Sequence, residues 1–508
     1  MGMICKLKNL AEVLDFWEYF DKISKIPHCS GNEQKLRNFI DNEAKKWGFE
    51  TKTDHVGNIV VKIPAKIQGE KHSRVILQSH LDMVCEKNES INHDFSKDPL
   101  KLKVIEINNE KWIAAEGTTL GADNAIGISY QLTLMKRISS GELDFGALRL
   151  ELLFTINEEL GLIGANQIDK SLIDGEFLIN LDSETDNTFT IGCAGGLLTQ
   201  VDINFERISI SQIMDKGQPI KISISGLIGG HSGVDIHKGR ANSIKLLAKI
   251  LWDLNNKYSI NVYSINGGKM TNAIPRESEA IIFVEKADFS HINSRVYEIA
   301  SDIKTSFSDI EQEIMVSLGK LNSDVGDMVL SKKSQEIIIA LLYGMPNGPI
   351  SMHPRIKDLV HTSSNLARVE TKNSHFKIEI SHRSLEDIGC SDISEIINAL
   401  LKLCELAGLK VNIKKVANYS GWEPNFESEL LAIAKDTYKE LFSEEVNVGA
   451  IHAGLECAVL KKHFPNLDMI SIGPNIKGAH SPDERVSVQS VEKIWNFLIN
   501  LLKRLQKN

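Results

Sequence analysis

The segment Leu148-Arg149-Leu150-Glu151-Leu152-Leu153-Phe154-Thr155-Ile156-Asn157-Glu158-Glu159 is an apolar run that stops at an Asn and two adjacent carboxylates. A short run rich in branched and aromatic residues is typical of a strand that is buried on both faces. Because neighbouring residues of a strand point to opposite faces, Glu158 and Glu159 can serve one site in two ways, one binding a metal and the other handling a proton. A solvated loop is the alternative interpretation of this pair taken alone.

Two other apolar runs end in residues that can bind metals. Val75-Ile76-Leu77-Gln78-Ser79 is followed by His80-Leu81-Asp82, and Phe177-Leu178-Ile179-Asn180-Leu181 is followed by Asp182. Strands of this kind, separated by helical stretches, predict an α/β fold with a doubly wound, largely parallel sheet. Ligands of such sheets gather at the carboxyl ends of the strands. We therefore expect one edge of the sheet to carry His80, Asp82, Glu158, Glu159 and Asp182.

Length, composition and charge narrow the class of protein. A chain of 508 residues is too long for one hydrophobic core, so two domains are expected. The net charge of −9 argues against a nucleic-acid partner, because nucleic-acid-binding domains are usually basic. No segment has about 20 uninterrupted apolar residues, so we expect no membrane partner.

The beginning of the chain and its cysteines bear on the cellular location. Charged residues near the N-terminus, among them Lys6, Lys8 and Glu12, interrupt any signal-peptide pattern. The seven cysteines form no C-x-x-C pair, which predicts reduced thiols rather than a disulfide framework. Both observations favour a cytoplasmic protein.

The sequence pattern changes in the middle of the chain. After residue 195, alternating stretches such as Lys221-Ile222-Ser223-Ile224-Ser225 indicate strands with one solvated face. We therefore predict an inserted α+β domain over 196–417, between the two parts of another domain, 1–195 and 418–508. Residues 221–254 and 376–409 share a plan of strand, polar loop and amphipathic helix, which suggests an internal duplication.

A metal site explains why so many acids meet at one sheet edge. Taken singly, each residue has a structural explanation; Asp123, for example, could cap the helix that follows it. Several carboxylates at one edge would repel one another unless a cation lay among them. Imidazole and carboxylate ligands without Cys suit Zn²⁺, Mn²⁺ or Co²⁺. With His480 near the C-terminus, the ligands suffice for two ions if one carboxylate bridges them.

At these residues the sequence resembles the M20 metallopeptidase family, and within it the aminoacyl-histidine dipeptidases. The similar motifs occur in the family's order and span nearly the whole chain. They are His80-Leu81-Asp82, Leu120-Gly121-Ala122-Asp123-Asn124, Asn157-Glu158-Glu159, Asn180-Leu181-Asp182, Gly229-Gly230-His231-Ser232-Gly233, Asn272-Ala273-Ile274-Pro275, Ser381-His382-Arg383-Ser384 and Gly478-Ala479-His480-Ser481-Pro482-Asp483-Glu484.

The resemblance implies a role for each residue of the metal site. Asp123 would bridge two ions, with a cis peptide bond after it. His80 and Asp182 would hold one ion, and Glu159 and His480 the other. Asp82 would orient the imidazole of His80. Glu158 would be the general base that takes a proton from the attacking water and passes it to the leaving amine.

The resemblance also implies that the inserted domain, 196–417, is a lid over a catalytic domain formed by 1–195 and 418–508. Three residues of this lid domain would act on the substrate. His231 would polarise the scissile carbonyl, assisted by Asn272. Arg383 would bind the free α-carboxylate of the substrate. Closure of the lid would exclude water and complete the site. Backbone N–H groups near His452 are a further candidate carboxylate site, and a homodimer is expected from the family.

The predicted function is hydrolysis of Xaa-His dipeptides such as β-alanyl-histidine, and of other unblocked dipeptides. The attacking water would be activated by two divalent ions, and Zn²⁺ is the first candidate for both. Two other activities could use the same site, those of an N-acyl amino acid deacylase and of a tripeptidase. A non-catalytic metal-binding protein is the alternative of another class. Such a protein would be expected to lack Glu158 or a ligand, and the chain has all of them.

Overall fold

Residues 13–67, 73–213, 217–321 and 325–506 are described by a computed structural model of the protein. They divide into two units. The first contains the chain up to Cys193 together with Trp422–Ala450 and the part from Leu455 onward, and the second contains Ala194–Gly421 and Ile451–Gly454. Cys193 and Trp422 exchange two backbone hydrogen bonds of 2.9 Å, which close the first unit where the chain leaves and re-enters it. The predicted boundaries, 196 and 417, lie close to these two residues.

The helices and strands are numbered in chain order. The helices are α1 (Leu14–Ile23), α2 (Gln34–Lys46), α3 (Ala122–Ser139), α4 (Ile163–Asn166), α5 (Ser243–Lys257), α6 (Phe289–Ser306), α7 (Lys332–Gly344), α8 (Asp387–Leu406), α9 (Glu429–Phe442), α10 (Glu456–His463) and α11 (Val488–Leu505). The strands are β1 (Glu50–Thr53), β2 (Ile59–Ile63), β3 (Arg74–His80), β4 (Leu102–Ile107), β5 (Glu110–Ala115), β6 (Arg149–Thr155), β7 (Phe177–Asn180), β8 (Thr188–Cys193), β9 (Gly195–Asn204), β10 (Arg207–Ser209), β11 (Gly217–Ser225), β12 (Asn261–Gly267), β13 (Ser278–Glu285), β14 (Met315–Lys320), β15 (Met328–Leu330), β16 (Gly348–Met352), β17 (Val360–Thr371), β18 (His375–Ser384), β19 (Lys410–Tyr419), β20 (Asn447–Ile451), β21 (Asp468–Ser471), β22 (Ile476–Lys477) and β23 (Arg485–Ser487).

The first unit is built on an eight-stranded sheet with the order β1-β2-β6-β3-β7-β21-β8-β20. Its central strands β6, β3, β7 and β21 are parallel, and antiparallel strands flank them. Every residue of β3 and β6 except the first is buried, which explains why both strands are continuous apolar runs in the sequence. The predicted α/β class with a largely parallel central sheet is confirmed.

A smaller sheet of the first unit, with the order β22-β23-β5-β4, brings together two distant parts of the chain. Strand β23 pairs with β5 in antiparallel register, with Val486 opposite Ile113. The loop after β5 leads to Asp123, and the loop before β23 carries His480. The pairing therefore places the start of the loop that leads to Asp123 beside the end of the loop that carries His480.

The second unit contains two copies of one arrangement of strands. Its large sheet has the order β14-β11-β13-β12-β17-β18-β9-β19, with β16 added on β17. The two halves, β14-β11-β13-β12 and β19-β9-β18-β17, repeat the same order and join through β12 and β17. The predicted duplication is thus present, but the predicted alignment was wrong. By their place in the two halves, strand β11 and helix α5 correspond to β9 and α7, and not to β18 and α8. The sequence pattern did not indicate this match, because the whole first half lies between β9 and α7 in the chain.

Each unit has its own hydrophobic core. Among the described residues, no helix is both long enough and apolar enough to cross a membrane. The expectation of reduced cysteines is wrong for one pair, because Cys29 and Cys85 form a disulfide. These two cysteines are 56 residues apart, so no local spacing of cysteines in the sequence predicts the disulfide. The disulfide joins the loop after α1 to the loop after β3.

Candidate metal centre

The carboxyl ends of three neighbouring strands position the first candidate ligands. His80 is the last residue of β3 and lies opposite Thr155, the last residue of β6. Asp182 follows the end of β7 by two residues. After β6 the chain turns sharply at Asn157, whose φ of 51° is left-handed. Glu158 and Glu159 therefore lie in a turn beyond the strand, and the prediction that they occupy opposite faces of the strand itself was wrong, because β6 ends at Thr155.

Asp123 lies between two histidines. Its Oδ1 is 2.8 Å from Nε2 of His80, and its Oδ2 is 3.2 Å from Nε2 of His480. His80 Nε2 is also 3.2 Å from Oδ1 of Asp182, and His480 Nε2 is 2.9 Å from Oε1 of Glu159. The five predicted ligands therefore form two groups that share Asp123.

Asp82 contacts both the imidazole of His80 and the Glu158–Glu159 turn. His80 Nδ1 lies 3.0 Å from the backbone carbonyl of Asp82 and 3.5 Å from its Oδ1. The Asp82 carboxylate accepts hydrogen bonds from the backbone N–H groups of Glu158 (2.9 Å) and Glu159 (3.1 Å) and from the hydroxyl of Ser30 (2.7 Å). The contact with the imidazole predicted for Asp82 is thus made chiefly by its main chain, while its carboxylate holds the turn.

The backbone around Asp123 is not helical, although it lies at the start of α3. The residue in the N-cap position is Gly121, and Asp123 and Asn124 depart from helical dihedral angles, so Asp123 does not cap the helix. The Asp123–Asn124 peptide bond is cis, as the resemblance implies. Gly121 has a φ of 67°, and an added Cβ would lie 2.7 Å from the sulfur of Met83. Asn124 donates a hydrogen bond to Asp182, which ties the bridging segment to the end of β7.

Glu484 supports the same segment and was not singled out as a site residue from the sequence. Its carboxylate is 2% exposed and accepts hydrogen bonds from four consecutive backbone N–H groups. The donors are Leu120 (2.7 Å), Gly121 (3.0 Å), Ala122 (2.8 Å) and Asp123 (3.4 Å). The one available signal was its place in the same motif as His480.

A buried polar layer lies beneath the ligands and was also missed. Gln78 and Asn180 each precede a predicted ligand by two residues and therefore lie on the same strand face. Asn180 donates to Gln78 (2.5 Å), and Gln78 donates to Glu456 (2.5 Å), which also accepts from Thr155 (2.6 Å). Burial raises the pKa of Glu456 to about 7. The layer fixes the ends of β3, β6 and β7 relative to one another.

The two imidazoles bind protons firmly in the ion-free protein. Burial acts to lower the pKa of His80, but the carboxylates of Asp182, Asp123 and Asp82 outweigh burial and raise this pKa well above its usual value. Hydrogen bonds to Asp123 and Glu159 raise the pKa of His480 to about 11. These protons occupy the positions that a metal cation would take.

The carboxyl groups of the site have strongly divergent proton affinities. Burial raises the pKa of Asp182 to about 8 and the pKa of Glu158 well above its usual value. Burial has the same tendency at Asp123, but hydrogen bonds from His480 and His80 prevail and hold the pKa of Asp123 well below its usual value. A cation among these groups would lower the pKa of each carboxyl.

The chemistry of the donor atoms fits a divalent metal ion. One ligand atom each of His80, Asp123 and Glu159 lies within 4.8 Å of the others. The Nδ1 of His80 is held by the carbonyl of Asp82, which leaves the Nε2 lone pair as the ligand. Nitrogen and oxygen donors without sulfur suit Zn²⁺, Mn²⁺ or Co²⁺.

In the second unit, the structure brings His231 and Arg383 together. The Nδ1 of His231 accepts hydrogen bonds from the backbone N–H groups of Gly233 (3.3 Å) and Val234 (3.1 Å). This Nε2 lies 3.3 Å from Nη2 of Arg383. Arg383 is 7% exposed and also donates to the hydroxyl of Tyr419 (2.9 Å). The guanidinium of Arg383 and the Nε2 edge of the His231 imidazole thus lie side by side.

Asn272 lies on the segment that pairs with the His231 loop. Its backbone carbonyl accepts a hydrogen bond from Ser232 (2.8 Å), while its side chain is exposed. His452 is buried, and its Nε2 is 2.7 Å from the hydroxyl of Ser363. Burial lowers the pKa of His452 to about 3, so its imidazole is neutral.

Comparison with known proteins identifies relatives of the whole chain. The cytosol non-specific dipeptidase of Escherichia coli K12 is 36% identical over 491 residues, which cover 96% of this chain and 97% of that protein. The crystal structure of aminoacylhistidine dipeptidase from Vibrio alginolyticus superposes with a TM-score of 0.83 at 34% identity, over 98% of this chain and 97% of the other. A tripeptidase from Staphylococcus aureus shares the fold, with a TM-score of 0.59 at 14% identity and coverage of 98% and 100%.

Two family profiles match separate parts of the sequence. The peptidase dimerisation domain of the M20 peptidases matches residues 222–310, and peptidase family M28 matches residues 58–196. The first match lies in the second unit, and the other covers the strands that carry His80, Glu159 and Asp182. With a relative of 36% identity along nearly its whole length, the chain belongs to the M20 family of metallopeptidases and is a hydrolase of peptide bonds.

Proposed function

We propose that the protein is a two-metal dipeptidase that hydrolyses unblocked dipeptides, including Xaa-His dipeptides such as β-alanyl-histidine. The observation that carries this proposal is the arrangement of five ligands in two groups around Asp123, with Glu158 beside them. Two relatives that are similar along nearly their whole length are named as dipeptidases, which supports the proposal.

The ligands divide between two ions of Zn²⁺, with Mn²⁺ or Co²⁺ as alternatives. His80 and Asp182, which meet Oδ1 of Asp123, would hold one ion. His480 and Glu159, which meet its Oδ2 side, would hold the other. Bound divalent ions supply Lewis-acid activation of the attacking water and of the scissile carbonyl.

Glu158 is the proton carrier in this proposal. The imidazoles of His80 and His480 define the two ligand groups, and Glu158 is in neither group. Its neighbour Glu159 contacts the imidazole of His480. The backbone N–H of Glu158 is fixed on Asp82, so the side chain starts from a rigid turn. Its raised proton affinity suits a group that takes a proton from water and returns it to the leaving amine.

The second unit contributes substrate recognition. The Nε2–H of His231 would donate to the scissile carbonyl oxygen, which gains negative charge during the reaction, with Asn272 assisting. Arg383 would bind the α-carboxylate, because a guanidinium offers paired donors that match the two oxygens. Dependence on a free carboxylate explains a preference for short, unblocked peptides.

The same comparisons support a place of action and an assembly. We propose a cytoplasmic enzyme, in line with the cytosol dipeptidase to which it is similar. The match of residues 222–310 to a peptidase dimerisation domain supports a homodimer formed through the second unit. Its partners are then the dipeptide substrate and a second copy of the chain, without nucleic acid or membrane.

A substrate panel tests the proposed activity. The purified protein, supplied with Zn²⁺, Mn²⁺ or Co²⁺, is assayed on β-alanyl-histidine, several α-dipeptides, tripeptides and N-acyl amino acids. We expect dipeptides to give the highest kcat/KM. A higher kcat/KM for N-acyl amino acids or for tripeptides would assign the site to a deacylase or a tripeptidase instead.

Replacing Arg383 by Met is expected to raise KM for dipeptides about 10–100-fold, because charge-assisted hydrogen bonds contribute about 1.5–3 kcal/mol. The same substitution at Arg368, which forms ion pairs with Glu370 and Glu379 on the same sheet, is the matched control and should leave KM unchanged.

Dipeptides with an amidated C-terminus complete the experiment. The unaltered enzyme should hydrolyse these amidated dipeptides poorly, and the R383M substitution should raise their KM little further. An equal effect of R383M on amidated and free dipeptides would contradict a carboxylate-binding role.

A further inference from the structure

Glu484 is a buried carboxylate that accepts hydrogen bonds from four main-chain N–H groups. Each of its oxygens has two donors: Oε2 accepts from Leu120 and Gly121, and Oε1 from Ala122 and Asp123. The donors lie on the segment before the regular part of α3, where the backbone of Asp123 and Asn124 is not helical. Glu484 therefore holds this non-helical segment from a distant part of the chain.

The residue also belongs to the loop that carries His480. This loop is braced by its own hydrogen bonds, with the Ser481 hydroxyl donating to the carbonyl of Gly478 (2.7 Å) and the N–H of Glu484 donating to that of Ser481 (3.0 Å). Directly after Glu484 the chain enters β23, which pairs with β5. One carboxylate thus joins a loop that holds one ligand to the main chain of another ligand, Asp123.

We propose that Glu484 is a positioning residue that sets the separation between Asp123 and His480, and through it the affinity of the site for its second metal ion. This inference rests on the proposed function, because it assigns Asp123 and His480 to one ion. On the other side of the site, Asp182 accepts a hydrogen bond from Asn124, and the buried polar layer links the strands that precede His80 and Asp182. The His480 side of the site depends more on Glu484, because the imidazole of His480 is 50% exposed.

Replacement of Glu484 by Gln tests this role. A glutamine keeps the volume, but its NH₂ group faces two backbone N–H donors and cannot accept from them. Groups that orient metal ligands typically change metal affinity 10–100-fold when they are altered. We therefore expect E484Q to bind the weaker of two Zn²⁺ ions about 10–100-fold less tightly, as measured by competition with a chromogenic chelator. At saturating Zn²⁺, KM for a dipeptide should stay unchanged, because no substrate contact is altered.

Glu151 provides the matched control. It is 1% exposed, and its Oε2 accepts the backbone N–H groups of Asp174 (2.9 Å) and Gly175 (3.2 Å). It lies on β6, seven residues before Glu158 and far from the carboxyl end of the strand. E151Q should lower the thermal midpoint in the way that E484Q does and leave Zn²⁺ affinity unchanged. Equal Zn²⁺ affinity of E484Q and E151Q would overturn the proposal and leave Glu484 a purely structural residue.

A second variant guards against failure of E484Q to fold. E484D keeps the charge but is shorter by one methylene group, so fewer of the four donors are within reach. Its affinity for Zn²⁺ should lie between those of the unaltered protein and E484Q, and an unaltered affinity would overturn the proposal. Failure of the proposed function is recognised separately, because the unaltered protein would then bind no second Zn²⁺ ion or would show no Zn²⁺-dependent dipeptidase activity.

Discussion

The variant Glu158→Gln is expected to bind metal normally and to lose about 10³-fold in kcat. General-base catalysis contributes about 10²–10⁴-fold to the rate, and a glutamine cannot take a proton from water. The substitution keeps the shape of the side chain and leaves the backbone N–H of residue 158 on Asp82. KM should therefore change little, because the lost interaction acts in the transition state.

Glu159 is the natural control for this experiment, because it is the adjacent carboxylate of the same turn. Its Oε1 lies 2.9 Å from Nε2 of His480, so E159Q should weaken metal binding as well as turnover. Addition of Zn²⁺ should restore part of the activity of E159Q and none of the activity of E158Q. The opposite pattern would exchange the two roles, and full turnover by E158Q would remove Glu158 from the mechanism.

The sequence predicted the central strands and their ends because these elements are local. Strands β3 and β6 are buried on both faces, and their apolar runs stop where the chain reaches the edge of the sheet. The polar residues at or just beyond these ends, His80 and Glu158, could therefore be recognised without knowledge of the fold. The grouping of ligands around Asp123 came from the resemblance to a known family, and the contacts agree with it.

Other features depend on contacts between distant parts of the chain. Glu484 accepts from backbone N–H groups more than 360 residues away, and backbone donors leave no pattern of side chains in a sequence. The Cys29–Cys85 disulfide joins two loops that are separated by 56 residues of sequence. The two halves of the second unit were misaligned because β9 and α7, although far apart in sequence, belong to one half. Asp123 was a plausible helix cap because its non-helical backbone has no local signature.

The second large effect is expected from removal of the metal, which should leave protons on the site that metal binding must later displace. Without cations the imidazoles of His80 and His480 keep their protons, and the buried carboxyls cannot all be ionised together. The His480 pKa of about 11 means that this imidazole is protonated at neutral pH. Metal binding must then release protons, so the affinity for Zn²⁺ should fall as the pH falls and rise as the pH rises. Calorimetric titrations in buffers with different ionisation enthalpies measure the number of protons released.

The most direct measurement of the central claim combines metal counting with turnover on a single preparation. The protein is stripped with a chelator, its folded state is checked by circular dichroism, and Zn²⁺ is added back in small steps while hydrolysis of β-alanyl-histidine and another dipeptide is followed. We expect the stripped chain to be folded and inactive, and its activity to be restored as two ions bind per chain. Two results would contradict the account. One is dipeptide hydrolysis by fully metal-free protein. The other is full activity when no ion is bound by His80, Asp123, Glu159, Asp182 and His480.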